Sequence, residues 1–298
     1  MDNAKLTNLL ARAEAVLAKL DAMLPAAAAA PDWKSAVAFR WRKRNGRGFI
    51  EAVKHPQYIA FDDLKDIDDQ MARLEANTRQ FVQGKPANNV LLTGARGTGK
   101  SSLVKAALKR FSKQGLRLIE VDKADLVDLP DIAEMIAGRP ERFIIFSDDL
   151  SFEANEPGYK ALKSVLDGTI AAGTDNVIVY ATSNRRHLMP EKMSENLEAK
   201  HTEDGEIHPG ETTEEKISLS ERFGLWISFY PFDQEQYMHI AEHWVSVLAP
   251  DAPGKHRSDA MRHAALLWAL ERGSRSGRVA YQFAKDWAAK HASPTSRK

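Results

Sequence analysis

The segment Gly94-Ala95-Arg96-Gly97-Thr98-Gly99-Lys100-Ser101 leaves this chain the fewest choices of fold. It lies between an apolar run, Val90-Leu91-Leu92, and a stretch whose apolar residues Leu103, Val104, Ala107 and Leu108 recur at helical spacing. The segment matches G-x-x-x-x-G-K-[ST] at each fixed position, in the strand-before, helix-after context that the motif requires. Its glycines let backbone N–H groups converge. The helix that follows turns its unpaired amides and positive dipole end to the same point. Such a loop is shaped to hold a polyphosphate, with Lys100 reaching the outer phosphates and the Ser101 hydroxyl placed to ligate Mg²⁺. The predicted binding set is Gly94, Ala95, Arg96, Gly97, Thr98, Gly99, Lys100, Ser101 and Ser102. A chance glycine-rich turn is the plainer alternative, and the flanking pattern speaks against it.

Four more apolar runs follow the same logic. Leu116–Val121, Phe143–Phe146, Val177–Ala181 and Leu225–Phe229 read as buried strands, the second being continuously apolar as a parallel strand covered on both faces must be. Helical patterns from Ile67 to about Val82, Asp131 to Ala137 and Tyr159 to Ala172 alternate with them. Strands alternating with helices predict an α/β fold with a parallel, five-stranded sheet and right-handed crossovers. In such sheets ligands sit beyond the carboxyl ends of the strands. From Asp233 the pattern is helical throughout (Glu235–Leu248, Ser258–Arg272, Ser276–Lys290), which predicts a smaller helical unit. The expected organisation is residues 1–57 as an N-terminal helical region, 58–232 as the α/β nucleotide-binding domain and 233–298 as a helical lid.

Before the sheet, Leu6, Leu9, Leu10, Ala13, Val16, Leu17, Leu20 and Leu24 form one apolar stripe at helical spacing, and Pro25 to Pro31 reads as a linker. Trp33 to Gly48 sets Phe39 and Trp41 among Arg40, Arg42, Lys43, Arg44 and Arg47. The favoured reading is a helix with its rings packed inward and its cations in water. The other reading is a nucleic-acid contact, with cations on phosphates and rings on bases. Pro190 to Lys216 is polar and mostly acidic, and reads as a surface excursion. The tail from Ser293 reads as frayed.

Composition narrows the chemistry. The formal net charge is +1, so a polyanion site must be a local patch. With no cysteine, thiolate metal sites and cysteine nucleophiles are excluded. None of the nine histidines falls in H-E-x-x-H, and His187, His201 and His208 lie in loop-like sequence. No G-x-S-x-G elbow is present. No run approaches the ~18 apolar residues of a membrane span, and charged residues interrupt the N-terminal apolar positions, so a cytoplasmic protein without membrane association is expected.

Several polar residues fall at the carboxyl ends of the predicted strands. Ser147-Asp148-Asp149 follows the apolar run Phe143–Phe146, which places Asp148 opposite Ser101 to hold the Mg²⁺ shell. Asp149 is placed to polarise an attacking water. The plainer reading has both acids capping a turn. Asn184, after Ala181-Thr182-Ser183, could orient that water or touch the outer phosphate, or simply serve a turn. Arg222 precedes the last strand, where a guanidinium could reach a neighbouring subunit's phosphate or pair with a local acid. Arg278, and after it Arg275, opens the final helix and could close over the nucleotide.

Together these residues resemble an AAA+ ATPase. The resemblance implies that Gly94–Ser101 is the Walker A loop, Phe143–Asp149 the Walker B strand, Asn184 sensor 1, Arg222 the box VII arginine finger and Arg278 sensor 2. Phe61-Asp62-Asp63-Leu64 is similar to the segment beside the adenine in that family. The stretches PANNVLLTGARGTGKSSLVKA, FSDDLSFE, YATSNRRHL and SLSERFGLWISFYPF resemble more narrowly a bacterial AAA+ group catalogued as a domain of unknown function. The resemblance implies ATP and Mg²⁺ as cofactors, a homo-oligomer and an unidentified protein partner, with catalysis resting on Asp149, Asn184, Arg222 and Arg278. One departure stands out: the family's second Walker B acid is glutamate and here it is Asp149, one methylene shorter, with Glu153 as a possible substitute. Three functions follow: an ATP-driven remodeller, a slow-hydrolysing nucleotide switch recruiting partners through the N-terminal region, and a nucleic-acid adaptor using Arg40–Arg47.

Overall fold

A computed structural model describes residues 7, 10–16, 31–152, 156–167, 175–185, 200–201, 207–208, 221–250 and 258–291. The chain divides into two compact units, Met1–Pro31 and Asp32–Lys298. In the first, residues 10–16 are helical. Leu6, Leu9, Leu17, Leu20 and Leu24 of the expected stripe lie outside the described residues, as do Glu153, His187 and the tail from Ser293.

The second unit is built on a seven-stranded sheet. Its strands are β1 (Ala38–Arg44), β2 (Arg47–Ala52), β3 (Val90–Gly94), β4 (Leu116–Glu120), β5 (Arg142–Ser147), β6 (Val177–Ser183) and β9 (Leu225–Phe229), in the spatial order β2-β1-β4-β5-β6-β3-β9. All neighbours are parallel except the β1–β2 pair. The five predicted strands form a contiguous block. The other two correct the sequence reading: residues 33–48 do not make a helix, because Asn45 and Gly46 adopt left-handed φ of 51° and 74° and reverse the chain into a hairpin. Consecutive residues with positive φ are what a two-residue hairpin turn demands. Phe39, Trp41 and Ile50 then lie buried on one face, leaving Arg40, Arg42, Arg44 and Arg47 on the other. A separate two-stranded ladder, β7 (Lys200–His201) with β8 (Ile207–His208), places two histidines expected in loops within strands.

Helices cover both faces. On one side α1 (Asp68–Val82) and α2 (Lys100–Phe111) share a core with α5 (Gln234–Leu248), α6 (Asp259–Glu271) and α7 (Gly277–His291), joining Leu103 and Val104 to Tyr237, Met238 and Phe283. On the other, α3 (Leu129–Ile136) and α4 (Pro157–Leu166) pack over Phe143, Ile145 and Val179. Phe143, Ile144, Ile145 and Phe146 are each at most 1% exposed, which explains why β5 carries no polar alternation. Asp233 and Gln236 cap α5 reciprocally, side chain to backbone, at 2.9 and 3.0 Å. These turns deliver the carboxyl ends of β3, β5 and β6 to one place, beside the start of α2.

Candidate functional site: the loop between β3 and α2

The loop leaves β3 at Gly94, where φ is 125° and an added Cβ would meet the Phe229 carbonyl oxygen at 1.9 Å. Only glycine fits that approach, which seats the loop against β9 through the Ala95 N–H donated to the same oxygen at 3.3 Å. Gly97 and Gly99 follow with φ of 74° and 100°. The Thr98 hydroxyl ties back to the Ala95 carbonyl at 2.8 Å. Helix α2 starts at Lys100 with no side-chain cap, so its first amides are left for another acceptor.

Lys100 is 6% exposed. Its ammonium donates to the carbonyls of Gly94 at 2.8 Å and Ala95 at 2.7 Å, and to Asn184 Oδ1 at 3.0 Å. Burial pushes its pKa below the ordinary lysine value; Asp148 and Asp149 pull the other way, and Arg96 adds to the depression. A buried cation on a glycine loop suits an anion of high charge, and the two carboxylates beside it suit a divalent cation bound with that anion.

Asp148 Oδ1 accepts two hydroxyls, from Ser101 at 2.5 Å and from Thr182 at 2.5 Å. Thr182 is the residue that sequence reasoning passed over. Its oxygen also accepts the Asp149 N–H at 2.9 Å, so it fixes both acids after β5. The signal available was its position at the end of the strand adjacent to β5. Asp149 itself adopts φ of 53°, and its Oδ1 accepts from the Asn184 side-chain amide. Lys100, Ser101, Asp148, Asp149 and Asn184 thus form one connected set. Carboxylate and hydroxyl oxygens are the ligands a hard divalent cation takes, and the uncapped helix start suits phosphate; the residues present fit Mg²⁺ and a nucleotide. Ser102, on the first turn of α2, is half-buried.

The C-terminal helices reach the loop from outside. Ser276 caps α7 by accepting the Val279 N–H at 3.3 Å, and the Gly277 N–H donates to the Gly97 carbonyl at 2.9 Å. A Cβ at Gly97 would lie 2.8 Å from the Ser276 Cβ and 3.6 Å from that of Arg278. The Arg278 Cβ therefore lies beside the loop at Gly97, whereas Arg275 and Ser276 line a flanking cavity of about 610 Å³ with Ala95, Arg96 and Thr98. That cavity excludes Lys100, Ser101 and Asp148. Leu64 and Ile67, at the end of the segment Phe61–Leu64, approach the loop on another side, at 3.9 and 3.3 Å from a Cβ placed on Gly99. Among the described residues Arg222 makes no bond to the connected set. Its Nε pairs with Asp167 Oδ1 at 2.5 Å, the local alternative weighed from the sequence.

Comparison with solved structures supports the fold. The Thermotoga maritima RuvB Holliday junction branch migration motor superposes with a TM-score of 0.50 at 17% identity, covering 76% of this chain and 63% of that one. A point mutant of the same Thermotoga maritima protein gives 0.52 at 17% identity, with 76% and 64% covered. The chain thus spans somewhat less than two thirds of these relatives' length. No curated protein matches by sequence. The sheet order, the glycine loop and the helices after β9 are those of an AAA+-type P-loop α/β fold. The family described as "Protein of unknown function (DUF815)" matches residues 34–291, nearly the whole of the second unit, and the chain belongs to that family.

Proposed function

We propose that this protein binds ATP with Mg²⁺ and hydrolyses it, coupling movement of the C-terminal helices to remodelling of a protein partner. In this reading residues 58–232 form the nucleotide-binding part and 233–298 the lid. The observation that carries it is the double acceptance by Asp148 of the Ser101 and Thr182 hydroxyls, which joins the start of α2 to the ends of β5 and β6. Mg²⁺, when bound, would supply positive charge against the negative charge that develops in phosphoryl transfer. Ser101 and Asp148 would hold it. Lys100 would exchange its carbonyl contacts for phosphate oxygens, Asp149 would orient a water and take its proton on the carboxylate oxygen that Asn184 does not engage, and Asn184 would hold the Asp149 side chain in place. Arg278 closes from α7, and Arg222 serves a neighbour's site in a homo-oligomer.

Isothermal titration calorimetry with ATP and ADP on wild type and Lys100→Ala tests the core of this reading. Binding is expected in the wild type and a loss of at least about tenfold in the variant, with its circular dichroism retained. Unchanged affinity in a folded variant overturns the phosphate role.

A second reading is a slow-hydrolysing switch, and one observation favours it: Asp149 is short and already engaged by Asn184. The nucleic-acid reading is weakened by the hairpin. Arg40 pairs with Glu120 at 2.6 Å, Arg42 lies 3.8 Å from Glu51 and 3.7 Å from Asp122, and Lys43 contacts Asp128 at 2.7 Å. Phosphates would have to displace those carboxylates.

A further inference from the structure

The two lateral edges of the large sheet are finished differently. Along β9 the Arg73 guanidinium donates to the Trp226 carbonyl at 2.9 Å and the Gln70 amide to the Ser228 carbonyl at 3.1 Å, so side chains of α1 occupy the outward acceptors. Along β2 the pattern follows from register. Val53 N–H donates to the Ala38 carbonyl at 2.9 Å, which makes Ala38 and Val53 a hydrogen-bonded pair. Counting by two, Arg40–Glu51, Arg42–Phe49 and Arg44–Arg47 are the other hydrogen-bonded pairs. The N–H and C=O groups of Gly48, Ile50 and Ala52 therefore point away from the sheet. Among the described residues no hydrogen bond reaches them. A row of such groups is a template for another strand.

We propose that β2 pairs antiparallel with β2 of a second copy of this chain, about a two-fold axis through Phe49. The sequence of the edge selects that occupant and that register. With Phe49 opposite itself, Gly48 faces Ile50 of the second copy, and both present outward N–H and C=O groups. Arg47 then faces Glu51 of the second copy on one side of the axis, and the reverse holds on the other. Two opposite-charge pairs flank an aromatic pair on one face of the joined sheet. Centring on Ile50 instead sets Phe49 against Glu51 and Arg47 against Val53, and loses both charge pairs. The interface is isologous and closes at two copies, joining two sheets into one of fourteen strands (twice the seven of one copy). It is independent of nucleotide.

Because the chain has no cysteine, a single introduced thiol reports the register. Phe49 is in a non-hydrogen-bonded position toward the second copy, where Cα atoms lie about 4.5 Å apart. That separation falls within the roughly 4.4–6.8 Å a disulfide spans. Full-length Phe49→Cys treated with diamide is expected to form covalent dimers at least about tenfold faster than Glu271→Cys, which is exposed on α6. Glu51→Cys alone is expected to lag in the same way, whereas mixed with Arg47→Cys it cross-links. Equal rates at 49 and 271 overturn the proposal. In sedimentation equilibrium, Glu51→Arg places like charges at both ends of the ladder and is expected to weaken the dimer by at least about tenfold, and Arg47→Glu/Glu51→Arg to restore it. A monomeric wild type, or a double variant no tighter than the single, also overturns it. The dimer is expected to persist in Lys100→Ala; dependence on that lysine places the contact elsewhere. A failure here leaves the calorimetric test of nucleotide binding untouched.

Discussion

Asp149 occupies a bend that few residues tolerate. Its φ of 53° lies in the left-handed region, where a side chain with Cβ costs about 1–2 kcal/mol and Asp and Asn are the common exceptions. The departure from glutamate therefore has a backbone reason: the turn after β5 selects a short polar side chain, and Thr182 holds its amide. Asp149→Glu is expected to lower the melting temperature by about 2–4 °C, and Asp149→Asn to leave it near wild type. In single-turnover assays Asp149→Asn is expected to slow ATP hydrolysis by about 10²-fold or more while sparing ATP binding. A turnover rate unchanged in Asp149→Asn would remove this residue from the chemistry. Much of the site could be read in advance, because each of Lys100, Ser101, Asp148 and Asn184 sits at a fixed offset from a strand end or a glycine. Thr182 could not be read this way. Threonine in a buried strand is ordinary, and only the β5–β6 pairing, with Ser147 opposite Ala181, brings its hydroxyl to Asp148.

At the scale of elements, the five parallel strands of the large sheet after residue 58 and the helices packed on them were legible because burial on both faces leaves an unbroken apolar run, and burial on one leaves a stripe; the short β7–β8 ladder carries neither signal. The hairpin departs from the helix expected there, although the sequence carries two signals of it. Asn45-Gly46 is a strong reversal pair, and Phe39 and Trp41 alternate with Arg40, Arg42 and Arg44 at period two. A run this dense in cations also suits a solvated helix face, which competes with the period-two signal. Their carboxylate partners, Glu120 and Asp122, lie some 80 residues away and become neighbours only through the sheet. A second element contact, between α5 and the segment before α1, carries a pH dependence. His243 Nε2 lies 3.3 Å from Asp63 Oδ1, yet burial first, then the Lys65 cation, hold its pKa below the ordinary 6.5, with Asp63 opposing and His239 adding to the depression. The folded state therefore binds this proton less tightly than the unfolded chain. Stability from this group is complete above about pH 6.5 and is lost as pH falls through the lower folded value. His243→Phe is expected to flatten the acid side of a plot of melting temperature against pH. An identical slope in the variant would assign the acid loss to other groups.

At the scale of the whole molecule, the catalytic proposal turns on where Arg222 acts. Within one chain it is half-buried and bound to Asp167 at the end of α4, outside the connected set around Lys100. An arginine finger supplied across a subunit boundary is worth about 10³–10⁵ in rate where it operates. One held by an internal carboxylate must exchange that partner for a phosphate when a neighbour docks. This predicts two variants with opposite behaviour. Arg222→Ala is expected to retain ATP binding and its slow basal rate, and to lose the part of turnover that rises with protein concentration. Asp167→Asn keeps the guanidinium but removes the charge that holds it, so turnover is expected to begin its rise at lower protein concentration. The Phe49-centred dimer forms without Arg222, so Arg222→Ala is expected to remain dimeric while its concentration-dependent turnover disappears. Steady-state ATPase measured across a concentration series, beside sedimentation of the same samples, separates the two contacts. Flat turnover per subunit in wild type, with both variants matching it, would reduce the Arg222–Asp167 pair to a local ion pair and leave each site to work alone.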